Sequence, residues 1–566
     1  MDKIKILGLA GLDESGRDCY VLEINDDMFV IEAGSSLPDK TIPGVDYLLP
    51  NADYIKKNKD RLKAYIITHG HDESMASLKY FYKKAPAPIY CTKTTKQSII
   101  YQGIIIGVDV LKTVGMKFEI VKPSDDVVIA GHKVHFFQTC HNISNSMGIV
   151  FETDRGNIVY TSDFIVDYSL NDETYHFDLL KLSSLAEKDT LLLISPSKGA
   201  NQPGYCAPKH RLFNHIEKYF EDPEKRIFAT CFWQNMFRIR EICKLCKKYH
   251  KKVYPYDDYT RKVLSMITNL EPGMLVESDI ISKEDFLRIK PQDMLVLILG
   301  HDKEIFNKII ALSLNSQEDK RISLSKNDVF ISGALPLPTQ EVIATKAHDG
   351  LYRTGCEVVW LKSKDLSSMH AHQDDLQVFL AILRPKYYLP VRGPYVKLLA
   401  NARLAASMGI GLNYNNIFMI DNGDELIFDD KPKPTIIANA TNKIDTTPIL
   451  VDGFGFSDIA QNVIDERNRL SQDGTVVVAG TVDLTERKLV AGPDCQMRGF
   501  VYVKEAEPLL KSVANIYADE IKSAFRNYDN PNWNEVRENI AERSTHFIKR
   551  ENGREPLVIP VIVVEK

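Results

Sequence analysis

The chain has few features of a secreted or membrane protein. Its nine cysteines in 566 residues are odd in number and fall at no framework spacing. That excludes a disulfide-stapled scaffold and reads as reduced thiols in a cytoplasmic protein. Cys243 and Cys246 form a single CxxC inside FRIREICKLCKKYHKKV, an amphipathic helix pattern. With no second pair to complete a zinc site, they read as core residues. The apolar runs fall far short of the ~18 residues that a membrane span requires, and no secretory leader opens the chain, so no membrane is expected. Positive charge is not in excess either: 71 Lys+Arg against 76 Asp+Glu leave a formal charge of −5. No global basic field advertises nucleic acid, and an RNA role would need a local groove. Internal repeats and low-complexity tracts are absent.

What is present suits a globular protein of two to four domains, with 44% hydrophobic and 26% charged residues. The first 165 residues are dense in short β-type runs: KIKILGL, CYVLEIN, MFVIEAG, AYIITHG, VVIAG, KVHFF, MGIVFET and NIVYTSDF. Their Gly, Asp and Asn boundaries suit a sheet-rich layer with helices outside it. From about Pro208 to His348 helical and strand patterns alternate, which predicts a separate α/β unit. Sheet character resumes with CEVVWLK and KYYLPVRG, so the middle unit reads as an insertion within a split first domain. DDKPKPTIIANATNKIDTT, residues 429–447, fits a linker. A final unit combines PILVDGFGF, GTVVVAGTVD and GFVYVKEAE with two charged helices and PLVIPVIVV.

The chemistry concentrates at strand ends. His69 and His71 follow the apolar run Tyr65-Ile66-Ile67, His141 lies in QTCHNISNS and Asp163 in YTSDF. Three histidines and one carboxylate at one rim of a sheet can hold a single zinc ion; a lone histidine there is more often a satisfied loop residue. A dinuclear hydrolase would read His-x-His-x-Asp-His at this point. This chain has His69-Gly70-His71-Asp72-Glu73-Ser74, which leaves a working site, a half-site or the remains of one.

The segments GLDESGRDCYVLE, VIEAGSSLPD, THGH, TCHNISNSMGIVFET, GNIVYTSDF, GALPLPTQE, LRPKYYLPVRGPY, VAGPDCQMRGFVYVKE and REPLVIPVIVV together resemble ribonuclease J. That family is a member of the β-CASP branch of the metallo-β-lactamase fold. The resemblance runs over essentially the whole chain. It implies an α/β fold: a metallo-β-lactamase αββα sandwich split by an inserted β-CASP α/β domain, plus a C-terminal α+β domain. The implied boundaries are 1–207 and 356–428 for the two parts of the sandwich and 208–355 for the insertion. Residues 429–447 would be the linker and 448–566 an oligomerisation domain.

The resemblance also implies a two-metal centre, from which this chain departs. Counterparts of the first metal's ligands are His69, His71 and His141, and the bridging aspartate is Asp163. In the second metal's share the aspartate is Glu73, the histidine is Ser74, and the histidine of PVHGE is Arg392 in PVRGP. The aspartate of DAG is Glu32. Glu73 and His370 stand where catalytic groups are expected, His370 as the leaving-group histidine of SSMHAHQDD; that motif's earlier histidine is Leu366 and its glycine Met369. Ser368, His370 and Lys198 are the substrate-contact candidates. Lys198 sits in Ser195-Pro196-Ser197-Lys198-Gly199, where the family has Asp-Ser-Thr-Asn. Gly300-His301-Asp302-Lys303-Glu304 replaces the Gly-Ser-Gln-Gly-Glu phosphate cradle, and Arg238, Arg240 and Lys198 read as exposed charges open to phosphates.

Arg392 either points outward or takes the second cation's place. Paired catalytic metals lie about 3.5–4 Å apart, and at ~4 Å with an effective dielectric near 20 a +1/+2 repulsion is on the order of 8 kcal/mol. That rivals much of the ~10–16 kcal/mol of a structural zinc site. At most one zinc per chain is therefore expected, or none, with manganese as the other candidate. Three functions compete: a non-catalytic or weakly active subunit beside a competent ribonuclease J paralogue, a slow metal-dependent exo- or endoribonuclease in its own right, and a small-substrate hydrolase. The insertion and the C-terminal segments argue against the last. The expected partners are RNA, a second copy of the chain, and the paralogue.

Overall fold

Period-two alternation in the first 160 residues becomes two mixed sheets with a shared apolar interior. The computed structural model describes residues 1–38, 42, 44–105, 108–170, 172–271, 273–337, 339–451, 461–499 and 507–565. One sheet has eight strands, in the order Thr435–Ile437, Glu425–Phe428, Ile4–Ala10, Cys19–Ile24, Asp27–Ile31, Leu62–Ile67, Ile89–Cys91 and Phe118–Ile120. The other has six: Tyr387–Val391, Thr190–Pro196, Gly156–Tyr160, Met147–Thr153, His132–Gln138 and Asp126–Ile129. Ile6, Leu22, Phe29 and Ile66 of the first pack with Phe136, Ile149, Ile158 and Leu389 of the second in one buried cluster. Alternation sends Tyr65 to the opposite face, where its hydroxyl donates to Ala85 O at 2.8 Å, just beyond helix Leu78–Lys84. On the second sheet Val150, Val159 and Leu193 face outward into a cluster with Leu182, Phe379, Leu380 and Ala402 of three helices. Helix, sheet, sheet and helix form the four layers of the metallo-β-lactamase sandwich.

Between these halves lies a five-stranded parallel sheet, ordered Lys252–Pro255, Met294–Gly300, Arg226–Phe232, Asp328–Ser332 and Glu357–Trp360. Its second strand, MLVLILG, is buried throughout, as a parallel strand covered on both faces must be. Ile227, Ala229 and Cys231 pack with helices Phe213–Glu221, Met236–Lys248 and Asp258–Leu270 on one face. Phe228 and Phe330 meet Glu304–Ser313 and Glu341–Arg353 on the other. Two boundaries need correction. Glu357–Trp360 pairs in parallel with Asp328–Ser332, so the inserted sheet runs to Trp360 and the sandwich does not resume at 356. Thr435–Ile437 is an antiparallel edge strand against Glu425–Phe428, so residues 429–447 are not free linker; Ile436 and Ile437 give a short β run that their polar flanks conceal.

The chain divides into two compact units, Met1–Leu37 with Tyr47–Ile449 and Pro38–Asp46 with Leu450–Lys566. In the second, strands Lys488–Arg498, Thr475–Asp483 and Leu557–Glu565 form a sheet in that order. Val476, Val478 and Val482 point toward Val513, Tyr517, Ile521 and Ile540 of helices Glu507–Asn527 and Trp533–Asn552. Strand Lys488–Arg498 is an addition to the expected set. Most of PILVDGFGF and the interior of GFVYVKEAE lie outside the described residues.

Asp375, fully buried, ties together three segments that lead to the site. It accepts backbone N–H bonds from Val166 at 2.8 Å and from Cys206 and His372 at 2.9 Å. Each hydrogen bond to a charged group contributes ~1.5–3 kcal/mol, and an orphaned buried donor costs ~1–3 kcal/mol. Asp375→Ala is expected to lower stability by about 3 kcal/mol or more in urea denaturation; a loss below ~1 kcal/mol would show that water takes over those donors.

Candidate metal centre

Every expected metal-site residue follows a strand at one rim of the sandwich. Glu32 follows Asp27–Ile31, His69 and His71 follow Leu62–Ile67, and His141 follows His132–Gln138. Asp163 follows Gly156–Tyr160, Lys198 follows Thr190–Pro196 and Arg392 follows Tyr387–Val391. Segment 32–35 is laced to the His71–Ser74 turn: Ala33 N donates to Ser74 O at 2.7 Å and Ser35 N to Asp72 O at 2.9 Å. A Cβ on Gly34 would fall 1.5 Å from Glu73 O, so only glycine permits that approach. Three non-glycine residues here, Glu32, Ser162 and Arg392, have φ of 62°, 58° and 60°. Such conformations cluster at functional sites.

One half of the centre is a ring of imidazoles. His69, His71 and His141 stand edge to face, with centroids 4.9 to 5.1 Å apart. His141 Nδ1 lies 2.8 Å from Met369 O and donates to it, leaving Nε2 3.3 Å from His71 Nδ1. Two nitrogens each ~2.0–2.1 Å from a tetrahedral zinc are separated by about 3.3–3.4 Å, so this spacing already suits a shared ion. His69 Nδ1 is tied to Thr68 Oγ1 at 2.9 Å, which turns Nε2 toward Asp163. Burial keeps all three rings neutral, His71 down to about 4 and the other two well below the usual histidine range. Neutral imidazole is the metal-binding form. Neither buried oxygen of Asp163 accepts a hydrogen bond of ordinary geometry. His69, His71 and His141 form one convergent donor group, and His69, Glu73 and Asp163 another. The first-metal half fits a divalent ion.

The other half is filled by cations. Arg392 is fully buried, with Nη2 2.6 Å from Asp18, 3.2 Å from Asp163 and 3.4 Å from Glu73. It also reaches Ser74 Oγ at 3.2 Å. Arg392 thus points inward, onto the residues that resemble the second metal's ligands, and that half does not fit another metal. Burial would raise the Asp163 carboxyl, but Arg392 and Lys198 hold it well below the carboxylate range. Burial pushes Asp18 up to about 7 against the pull of Arg392, and Glu32 up to about 8. His370 Nδ1 lies 3.4 Å from Asp163 Oδ1, whereas Ser368 is exposed and offers its carbonyl to His370 N.

Several expected phosphate contacts are not available. Lys198 turns inward onto Glu73. Arg238 is buried on the carbonyls of Gly333 and Ser367 at 3.0 and 3.3 Å. Arg240 is spent on Glu271 and Asp172, each at 2.7 Å. The two arginines lie in the first turns of helix Met236–Lys248, packed under neighbouring loops, which their charge alone did not reveal. In the 300–304 loop His301 and Glu304 pair with each other at 2.8 Å. Cys243 and Cys246 are buried free thiols, as their helix pattern indicated. Asp18 was missed. Its signal was present: it precedes strand Cys19–Ile24, and the hairpin register sets Tyr20 opposite Ile31, which carries Asp18 to the same rim as Glu32.

A family model described as "Metallo-beta-lactamase superfamily" matches residues 12–193, and one described as "Ribonuclease J C-terminal domain" matches residues 462–564. The chain is 28% identical to "Ribonuclease J2" of Bacillus subtilis over 570 residues, covering 99% of each. It is also 28% identical to "Ribonuclease J 2" of Staphylococcus aureus over 574 residues, covering 99% of this chain and 98% of that one. The chain thus carries a metallo-beta-lactamase domain and a ribonuclease J C-terminal domain, and is similar to ribonuclease J2 over nearly its whole length. A crystal structure of a protein of unknown function from Enterococcus faecalis aligns with 75% of the chain and all of its own length, at a TM-score of 0.51 and 15% identity, and supports the fold. The superfamily implies a metal cofactor, and the histidine ring with Asp163 is where this member offers the donors. Among the described residues no helix is long and apolar enough to cross a membrane.

Glu73 carries a pH signature. Burial would raise its carboxyl, but Lys198 and Arg392 draw it down to about 2, below the ~4.3 of an unfolded glutamate. A depressed acid stabilises the fold above the unfolded pKa, and that contribution is lost as pH falls toward the folded value. Glu73→Gln is expected to destabilise the protein at pH 7, with the gap to the parent closing between about pH 4.5 and 2. Melting curves over that range check it; a gap independent of pH would show that the charge is not what matters.

Proposed function

We propose that this chain is a ribonuclease J-like protein of RNA processing and decay, acting in the cytoplasm. In this reading its centre holds at most one divalent metal and its own phosphodiester cleavage is weak or absent. It works chiefly as a subunit beside a competent ribonuclease J paralogue. The observation that carries the reading is Arg392, buried among Asp18, Glu73 and Asp163. The family likeness and the names of the relatives support RNA as the substrate class.

When bound, a zinc or manganese ion supplies Lewis-acid polarisation and a more acidic water. The chain's own residues then have limited work. His69, His71 and His141 offer neutral ring nitrogens, and Asp163 is the shared carboxylate. His370, partly exposed and held near Asp163, is placed to give a proton to a leaving oxygen. Arg392 cannot replace a metal as a generator of nucleophile, because a guanidinium has no water to acidify. The intact histidine ring favours one second reading, a slow metal-dependent 5′-3′ exoribonuclease or endoribonuclease in its own right.

Two measurements test the proposal. Elemental analysis should find no more than one equivalent of zinc or manganese per chain. Cleavage of 5′-monophosphorylated RNA should run at least ~100-fold below a competent family member, since losing one charge-stabilising element commonly costs about 10²–10³ in rate. Residual cleavage should vanish in His69→Ala/His71→Ala; two metals per chain would sink the reading.

For assembly, a homodimer is expected alone and a mixed complex with the paralogue when it is present. Deleting residues 448–566 should weaken both, whereas the histidine double variant should leave them intact. Undiminished co-purification of the truncated chain would leave the slow-enzyme reading in place.

A further inference from the structure

Arg392 is not alone in the acidic half of the centre, because a second cation reaches it from another strand. Lys198 Nζ pairs with Glu73 Oε1 and lies 3.8 Å from Asp163 Oδ2. Arg392 Nη2 takes the same two oxygens, at 3.4 Å and 3.2 Å. Two side-chain cations therefore share one oxygen from each of two carboxylates, as a divalent ion bridged by those carboxylates would. Asp18 closes the far side at 2.6 Å from Arg392. A guanidinium and an ammonium together carry the charge of one divalent cation. Their mutual repulsion is relieved by the shared oxygens.

The fold directs Lys198 there. Asn401 Nδ2 donates to Pro196 O and to Ser197 Oγ, each at 3.1 Å, and pins the loop. A Cβ on Gly199 would fall 2.3 Å from Ala371 O, so the same loop lies against the backbone that carries His370. The Lys198 side chain is only 12% exposed.

We infer that Lys198 and Arg392 act as a built-in dication in the position of the second metal, and that Lys198 alone still keeps a metal out when Arg392 is replaced. The acidic half is then organised by side chains and keeps its shape without an ion. The inference rests on the reading of Arg392 given above and extends it to Lys198. It makes a counter-intuitive claim: restoring the second site's donors is not enough to admit a metal while Lys198 remains.

Four proteins test this: the parent chain, Glu73→Asp/Ser74→His/Arg392→His, that triple variant with Lys198→Met, and the triple variant with Lys198→Arg. Each is dialysed against excess manganese or zinc, washed, and measured for metal per chain. The parent and the triple variant should retain the same amount. The variant with Lys198→Met should gain one equivalent, and the one with Lys198→Arg should not. A gain in the triple variant alone, or no gain on adding Lys198→Met in a folded protein, overturns the role of Lys198. Two equivalents in the parent would instead overturn the reading of Arg392. In the otherwise native chain, melting gives a second readout: Lys198→Met/Glu73→Gln should melt no lower than the worse single variant. Additive losses would show that the two side chains do not act as a pair.

Discussion

The rim of this sandwich is organised around the carboxylate of Asp163. It is fully buried, and its Oδ2 is shared by Arg392 at 3.2 Å, Lys198 at 3.8 Å and His69 at 4.0 Å. Its other oxygen faces His370 at 3.4 Å. Removing a charge-paired carboxylate from such a position leaves cations buried and unpaired, which is far more costly than the pair itself is stabilising. The segments that converge on Asp163 come from both sheets, so the position of this one group constrains the whole rim. Asp375 fixes the chain three residues later at Val166, and the backbone of Met369 holds His141. The inserted unit joins the same frame: Gln234 Nε2 donates to Gly70 O at 3.2 Å and Phe237 N to Asn142 O at 3.0 Å.

On either side of Asp163 the chemistry differs in kind. The histidine side is neutral, convergent and spaced for an ion. The acidic side has its negative charge already answered by Arg392 and Lys198. A metal entering there would have to displace a guanidinium with no route to solvent, breaking three ion pairs at once. On the histidine side it would displace only weak contacts between neutral rings. The asymmetry supports the proposed half-site.

Much of this was legible in the sequence because strand ends are. The β runs of the first 165 residues mark where loops gather, and the four metal-ligand candidates fall directly after them. The sequence leaves open whether Arg392 points outward or takes the second cation's place, and its course among Asp18, Glu73 and Asp163 decides it. Lys198 was misread, because a lysine beside a glycine in a loop looks solvated; only the tertiary placement of Asn401 and Ala371 shows where the loop turns. Arg238 and Arg240 failed for the related reason that a helix pattern does not say what packs over its first turn. The strand Lys488–Arg498 escaped notice because Gly492 and Pro493 interrupt its pattern and its outward face carries charge. Glu357–Trp360 was assigned to the wrong sheet, since a four-residue β run carries no record of which neighbour it pairs with.

The backbone supplies the last step. Glu32, Ser162 and Arg392 all hold left-handed conformations without being glycine, each costing about 1–3 kcal/mol that surrounding contacts must offset. In this chain the contacts are identifiable. Glu32 accepts from Thr68 N and Tyr160 Oη at 3.2 and 3.4 Å. Ser162 hydrogen-bonds Thr68 Oγ1 at 2.6 Å. Arg392 N donates to Gly11 O at 2.9 Å, and its side chain is held by three acids. Each strained residue is held by contacts with protein groups. A site that had merely lost its second metal would have left buried carboxylates repelling one another and unfavourable dihedrals without support. Here Arg392 and Lys198 pair with those carboxylates, which supports the proposal that side-chain cations keep the architecture of a two-metal centre around a one-metal set of donors.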